Sequence, residues 1–263
     1  MLESAVQQSR MDPAASVAAL APAVARLLVY ESDGERPGVL IPRPEIQLVV
    51  RFGACVPKGL DIHAFGARER VHRKLILRGL RTVTARLRLG ESQAVLGVPA
   101  SQMSGRVVTL ADLWGGAETR ALHARLVEAR NTAEAASILD RAIAARLASA
   151  AKRDAGTKLA LVAADRLMRA NVNAVAVELG VSDRHLRRVF RDSIGLSPKA
   201  FARLTRFRRA LGAARAQASS SWAAIAAEVG YYDQAHLIAE FRAIAGVTPR
   251  VLLGELRAAP SLG

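Results

Sequence analysis

Cysteine occurs once, at Cys55, so no disulfide can form within the chain. That excludes the small secreted scaffolds held by disulfides and fits a reducing cytoplasm as the expected compartment. Aromatic residues make up only 4% of the chain, which leaves its interior to aliphatic side chains and alanine. Long apolar runs are missing too. The most apolar early stretch, "SVAALAPAVARLLVY", is broken by Pro22 and Arg26 and is too short to cross a bilayer, so no membrane partner is expected. The opening "MLESAVQQSRMDPAAS" has no basic region followed by an apolar one, and no secretory leader is expected from it. Acid is also scarce: 23 Asp and Glu against 38 Lys and Arg give a formal net charge of +15. A surface of that sign favours a polyanion, whether nucleic acid, an anionic membrane surface or an acidic protein. An arginine-favouring, GC-rich genome gives the same sign, so charge alone does not choose among them.

What the sequence does have is 51% apolar residues over 263 positions, enough for one large or two ordinary globular domains. Residues 39–110 hold short runs of Val, Leu and Ile between Gly and Pro, and "PEIQLVVRFG" and "GRVVTL" read as strands. Apolar positions over 118–149 recur at helical spacing, as two helices meeting near Asn131 and Thr132. The small, charged stretch "AAKRDAGTK" reads as a linker over 150–157. From Lys158 onward seven helices are predicted. Ser197-Pro198 and Thr248-Pro249 each place a hydroxyl at an N-cap before a first-turn proline. Gly180, Gly195, Gly230 and Gly246 stand where helices should end.

The helical part contains a repeat. Ala176, Glu178 and Gly180 match Ala226, Glu228 and Gly230 at an offset of 50; Leu186, Phe190, Gly195 and Pro198 match Leu237, Phe241, Gly246 and Pro249 at an offset of 51. One residue has entered the turn of the second copy. Each copy reads as a short helix, a glycine-containing turn and a second amphipathic helix, which is the helix-turn-helix pattern. Between the copies, "SPKAFARLTRFRRALGAARAQ" as one helix from Pro198 to about Gln217 spans roughly 30 Å, close to the ~34 Å of one DNA turn. Two reading helices at that spacing could enter successive major grooves.

Residues 158–254, above all "IAAEVGYYDQAHLIAEF" followed by "AGVTP", resemble the DNA-binding domain of the AraC/XylS family of bacterial transcription regulators. The resemblance implies sequence-specific binding of double-stranded DNA and contact with RNA polymerase. In the first motif Arg184, Arg187, Arg188 and Arg191 share one helical face opposite Leu186, Val189 and Phe190. Arginine pairs bidentately with guanine or grips phosphate, and the resemblance matches Arg184, Arg187 and Arg188 to base-facing positions, with Arg191 as a phosphate contact. Ser182 is the expected helix cap, and His185 is expected to pack. Asp183 and Asp192 could instead engage Arg187 and Arg188 as ordinary surface pairs. In the second motif Asp233 is the expected cap, and Tyr232, Gln234, Ala235 and His236 are the candidate contacts. Ala239 stands where the family often has a basic residue, so weaker binding by this helix is expected. On the linking helix, Lys199 and Arg203 are the candidate phosphate contacts. Trp222 is expected to anchor the core.

In the N-terminal half, "AVLGVPASQMSGRVVTLADLWGG" and "IPRPEIQLVVRFG" resemble sensory domains of a subgroup of the same regulators. The expected fold is therefore α+β: a β-rich, small barrel-like sensory domain with C-terminal helices (1–149), a linker (150–157), an all-α domain with two helix-turn-helix motifs (158–254) and a tail (255–263). The resemblance gives the first domain a small-molecule effector or a homodimer contact. His63 and His72 lack partners at metal-ligand spacing, and Cys55 reads as a buried structural thiol. No nucleophile, base and orienting group assemble, so neither an enzyme nor a cofactor is expected. The rival readings are a non-specific architectural DNA binder and an enzyme with a DNA-targeting tail.

Overall fold

The computed structural model describes residues 20–151, 153–216 and 221–259. Among the described residues seven strands come first: β1 (Val24–Glu31), β2 (Arg36–Leu40), β3 (Gln47–Phe52), β4 (Leu60–Phe65), β5 (His72–Ile76), β6 (Arg81–Leu87) and β7 (Val107–Thr109). Five form an antiparallel sheet in the order β1-β6-β3-β4-β7, and β2 pairs with β5 in a separate ribbon. The barrel-like half is thus two sheets around a cavity, with β1 and β7 at the edges of the larger one.

Strand alternation divides the residues of that sheet between two environments. Leu48 and Val50 of β3, Leu60, Ile62 and Ala64 of β4, and Val83, Ala85 and Leu87 of β6 are buried in one apolar cluster. Gln47, Val49 and Arg51, His63 and Phe65, and Thr82 and Thr84 line the cavity on the other face. The apolar cluster is completed by α1 (Ser92–Leu96), α2 (Ala100–Met103), α3 (Leu110–Trp114), α4 (Gly116–Val127) and α5 (Thr132–Ser149). The predicted junction of the last two holds: Asn131 caps α5, its side chain accepting from the Glu134 amide at 2.8 Å. Leu139 and Ile143 of α5 are fully buried, so truncating either to Ala should cost about 2–5 kcal/mol. Two polar groups of this core find partners across elements. The Trp114 indole donates to the Val95 carbonyl at 2.9 Å, and buried Asp140 accepts the Ala21 amide on both carboxylate oxygens.

Seven helices follow, as the capping signals predict: α6 (Ala155–Arg166), α7 (Val172–Glu178), α8 (Asp183–Ile194), α9 (Pro198–Ala216), α10 (Trp222–Val229), α11 (Gln234–Ala245) and α12 (Pro249–Ala258). Two boundaries differ from the sequence reading. Helix α6 starts inside the stretch read as a linker, because Asp154 caps it by accepting from the Thr157 amide at 2.6 Å. Helix α12 continues into the stretch read as a tail, because Leu256 and Ala259 are buried in the helical core. Ser197 caps with its hydroxyl at 3.1 Å from the Ala200 amide, whereas Thr248 occupies the N-cap without a side-chain bond. Pairs α7–α8 and α10–α11 are the two helix-turn-helix motifs. Helix α9, of 19 residues, is about 28 Å long; Gln217 lies outside the described residues. Its buried face serves both motifs. Phe201 meets Phe190 of α8 at 5.3 Å, and Phe207 meets Phe241 of α11 at 4.6 Å. Trp222 packs edge-on to Phe241 as the expected anchor.

The two halves share surfaces. Val39, Ile41 and Ala67 belong to the helical core. The Val71 amide donates to the Ile244 carbonyl of α11 at 2.9 Å, Arg73 pairs with Glu255 of α12 at 2.9 Å, and Arg208 of α9 reaches Glu45 at 3.4 Å. Arg153 pairs with buried Glu91 beside the connector. Gly195, which closes α8 at φ +87°, sits so tightly on α2 that a Cβ there would lie 2.9 Å from the Ala100 carbonyl oxygen. No helix among the described residues is long and apolar enough to cross a membrane.

Candidate nucleic-acid interface

Helix α8 separates its faces cleanly. Leu186, Val189 and Phe190 are buried, while Arg184, Arg187, Arg188 and Arg191 are all exposed. Ser182 caps the helix, its hydroxyl accepting from the His185 amide at 3.2 Å. Arg187 is held by Asp183 at 2.6 Å, one turn earlier. Asp192 does not engage Arg188; it accepts instead from the Ser101 hydroxyl at 3.0 Å, across to α2. Among the described residues no carboxylate pairs with Arg184, Arg188 or Arg191. His185 is exposed, its ring 3.4 Å from the Arg188 guanidinium. The expectation that it packs therefore fails: it lies on the open side of the helix, and Leu186 alone turns inward.

The turn of the second copy shows where its extra residue went. Tyr231 repeats Val181: both amides donate to the carbonyl of the matching alanine, Ala226 or Ala176. Asp233 repeats Ser182 as the cap, accepting from the His236 amide at 2.7 Å. The inserted residue is Tyr232, and it is 93% exposed. Gln234, Ala235 and His236 are exposed beside it at the start of α11. Glu240 turns inward to Arg203 of α9 at 3.2 Å.

That pair changes the reading of the linking helix. Lys199 is exposed at its start. Arg203 is tied to Glu240, Arg206 lies over the Tyr231 ring at 5.4 Å, and Arg208 is held by Glu45. Burial, with the Glu240 carboxylate nearby, pushes the Tyr231 phenol above its ordinary range. The structure thus brings Ser182 and the four arginines of α8 onto one open face, gathers Tyr232, Gln234, Ala235 and His236 at the tip of α11, and sets Arg203 inside the framework joining the motifs. Arg242 is a residue the sequence reading passed over. It is exposed near the end of α11 and repeats Arg191 at an offset of 51; the register of the repeat was the available signal.

A second feature lies in the N-terminal half. A cavity of about 940 Å³ opens between the two sheets, within the range of small-molecule sites. Aliphatic side chains from β1, β2 and β3 line much of it, and Arg43, Arg51, Arg68 and Lys74 stand among them. Burial, with Arg208 and Arg86 nearby, lowers the Arg43 guanidinium to about 9. Burial and then the neighbouring Arg51 and Arg68 lower Lys74. Arg51 alone of the four is raised, through its bond to Asp61 at 2.8 Å. His63 and His72 also line the cavity, and among the described residues no group of three or more His, Cys, Asp or Glu is placed to hold a metal. Cys55 is exposed in a turn, not buried as expected.

Residues 175–254 match the family model described as a helix-turn-helix domain. Among solved structures, the chain is similar to a transcriptional regulator of the AraC-type DNA-binding-domain class from Chromobacterium violaceum, at 28% identity over 41% of this chain and 100% of that one, with a TM-score of 0.35. It is similar to a probable AraC family transcriptional regulator from Rhodopseudomonas palustris CGA009, at 24% identity over 41% and 100%, TM-score 0.33. ToxT from Vibrio cholerae O395 aligns over 88% of this chain and 97% of its own, at 13% identity and a TM-score of 0.41. No curated protein matches the chain.

Proposed function

We propose that the chain is a DNA-binding transcription regulator of the AraC type, which reads two half-sites on one face of duplex DNA under the control of its N-terminal half. The observation that carries the first part is the open face of α8. Four arginines stand exposed on the side opposite Leu186 and Phe190, and three of them have no acidic partner among the described residues. Arg184, Arg187 and Arg188 would read base edges, Arg191 and Lys199 would hold phosphates, and Tyr232, Gln234, Ala235 and His236 would meet the second groove. Arg203 contributes by holding the second motif to α9, a positioning role. The units of the proposal divide at the connector before Asp154, with the β-rich half as the controlling one.

Control would work by population shift. A ligand in the cavity, or a second copy of the chain, favours one placement of the reading heads over another. Regulation rather than catalysis is the proposed role of the N-terminal half, in the cytoplasm, with RNA polymerase as the protein partner of the bound complex. Selection of bound sequences from a random duplex library tests the reading. The expected outcome is a bipartite motif with its halves about one helical turn apart. Uniform recovery of all sequences would overturn it in favour of an architectural binder.

A further inference from the structure

Lysine is rare in this chain, yet Lys74 of β5 lines the cavity, half-buried. Among the described residues no carboxylate pairs with Lys74 or with Arg68, which stands over the Phe65 ring at 4.8 Å. Burial depresses both cations, and for Lys74 two arginines add to the effect with no acid opposing it. Two charges are therefore kept partly out of water without a paired carboxylate among the described residues, a costly arrangement that a bound anion would relieve. Leu28, Leu40 and Val49 give the wall an aliphatic stretch, and the acids that line it, Glu45 and Glu69, pair with neither Lys74 nor Arg68.

We propose that the cavity binds an organic anion with an apolar body, its charged group seated on Lys74 and Arg68 and its body against the aliphatic wall. This rests on the reading of the N-terminal half as ligand-controlled and gives that ligand its chemical class. Strand β5 carries the consequence. Lys74 faces the cavity, while Arg73 next to it holds Glu255 of α12, and Val71 just before the strand donates to Ile244 of α11. An anion drawing Lys74 inward acts on the strand that grips the second motif.

Two fluorescent probes differ by the anion alone: 1-anilinonaphthalene-8-sulfonate and its uncharged parent N-phenyl-1-naphthylamine. Titrated into the full chain, the sulfonate should bind tighter than the parent by about tenfold or more, the weight of a charge-assisted bond. Lys74→Met and Arg68→Met should each weaken the sulfonate by about tenfold and leave the parent unchanged, while Lys74→Arg keeps sulfonate binding within about threefold. Unchanged binding of the parent shows that the variants are folded and the cavity intact. Equal affinity for both probes, or sulfonate binding indifferent to Lys74→Met and Arg68→Met, overturns the anion site and leaves a ligand-controlled cavity standing. Conversely, probe binding as expected with no effect on affinity for a selected DNA site keeps the anion site and removes the regulatory reading.

Discussion

The two reading helices are copies in register, yet α8 carries Arg184, Arg187 and Arg188 where α11 has Ala235, Ile238 and Ala239. Beneath that difference the copies agree. Leu186 and Leu237 are both fully buried, as are Phe190 and Phe241, and each helix ends on a glycine in the left-handed region. The helix-turn-helix backbone is fixed by a few inward side chains and a turn, so the outward positions are free to diverge. The first copy has kept the electrostatic grip. The second presents Tyr232, Gln234 and His236, groups that hydrogen-bond or stack but add little long-range attraction at neutral pH. It also has Glu240 at the position of Val189, and that acid is paired with Arg203 of α9. On the proposed reading, α8 would supply most of the attraction to DNA together with base contacts, and α11 a second, less charged contact.

The comparison breaks most severely if the spacer is altered. Four residues inserted near Gly212 lengthen α9 by about 6 Å and turn the second head by about 40°. Fitting one site would then require bending the DNA, at about 1–6 kcal/mol. Specific affinity should fall accordingly in an equilibrium binding assay while non-specific binding survives on α8. Unchanged specific affinity would mean that α11 does not engage DNA. Next in size are the cores. Phe190→Ala and Phe241→Ala should each destabilise the fold by about 3–5 kcal/mol in chemical denaturation, similarly for the two copies, since both rings are fully buried. A large difference would show that the copies diverge in packing as well as in charge.

Smaller effects test the surfaces. Arg188→Ala should cost about 1–3 kcal/mol of specific binding and relax preference at one or two base pairs. Arg187→Ala should cost less, because Arg187 must first leave Asp183; competition among single-base variants of the site measures both. Smallest is Arg242→Ala, which should weaken all sequences alike and flatten the salt dependence by about one phosphate contact. Lys199→Ala is its counterpart at the start of α9. If Arg242→Ala instead changed base preference, the second motif would be reading with charge after all.

The helical half was legible because its signals are local. Hydroxyl and carboxylate caps, four glycines and a repeat offset each name a position without reference to the rest of the chain. Even the misplaced boundaries have local causes: Asp154 caps a helix earlier than the composition of "AAKRDAGTK" implied, and Leu256 extends one into the core. The partners of Arg203, Arg208 and Asp192 were not legible, since each lies on another element and is chosen by tertiary packing. His185 could not be assigned because its neighbour Leu186 supplies all the burial at that turn. The cavity is written in strand alternation, at Gln47, Val49 and Arg51, but alternation alone does not say whether a polar face meets solvent or an enclosed space.

The bond from the Val71 amide to the Ile244 carbonyl has a meaning for helix termini. The last carbonyls of a helix have no partner within it, and Ile244 lies in the final turn of α11. Its acceptor is satisfied by a residue from the other half of the chain, so the β-rich half serves as a remote C-cap for the second reading helix. A fragment lacking that half retains both motifs but leaves this carbonyl to water. Hydrogen exchange should then show faster exchange in the last turn of α11, although its own Asp233 and Gly246 caps remain. Both helices close on their own glycines, and α11 has in addition one terminal carbonyl that only the whole chain satisfies.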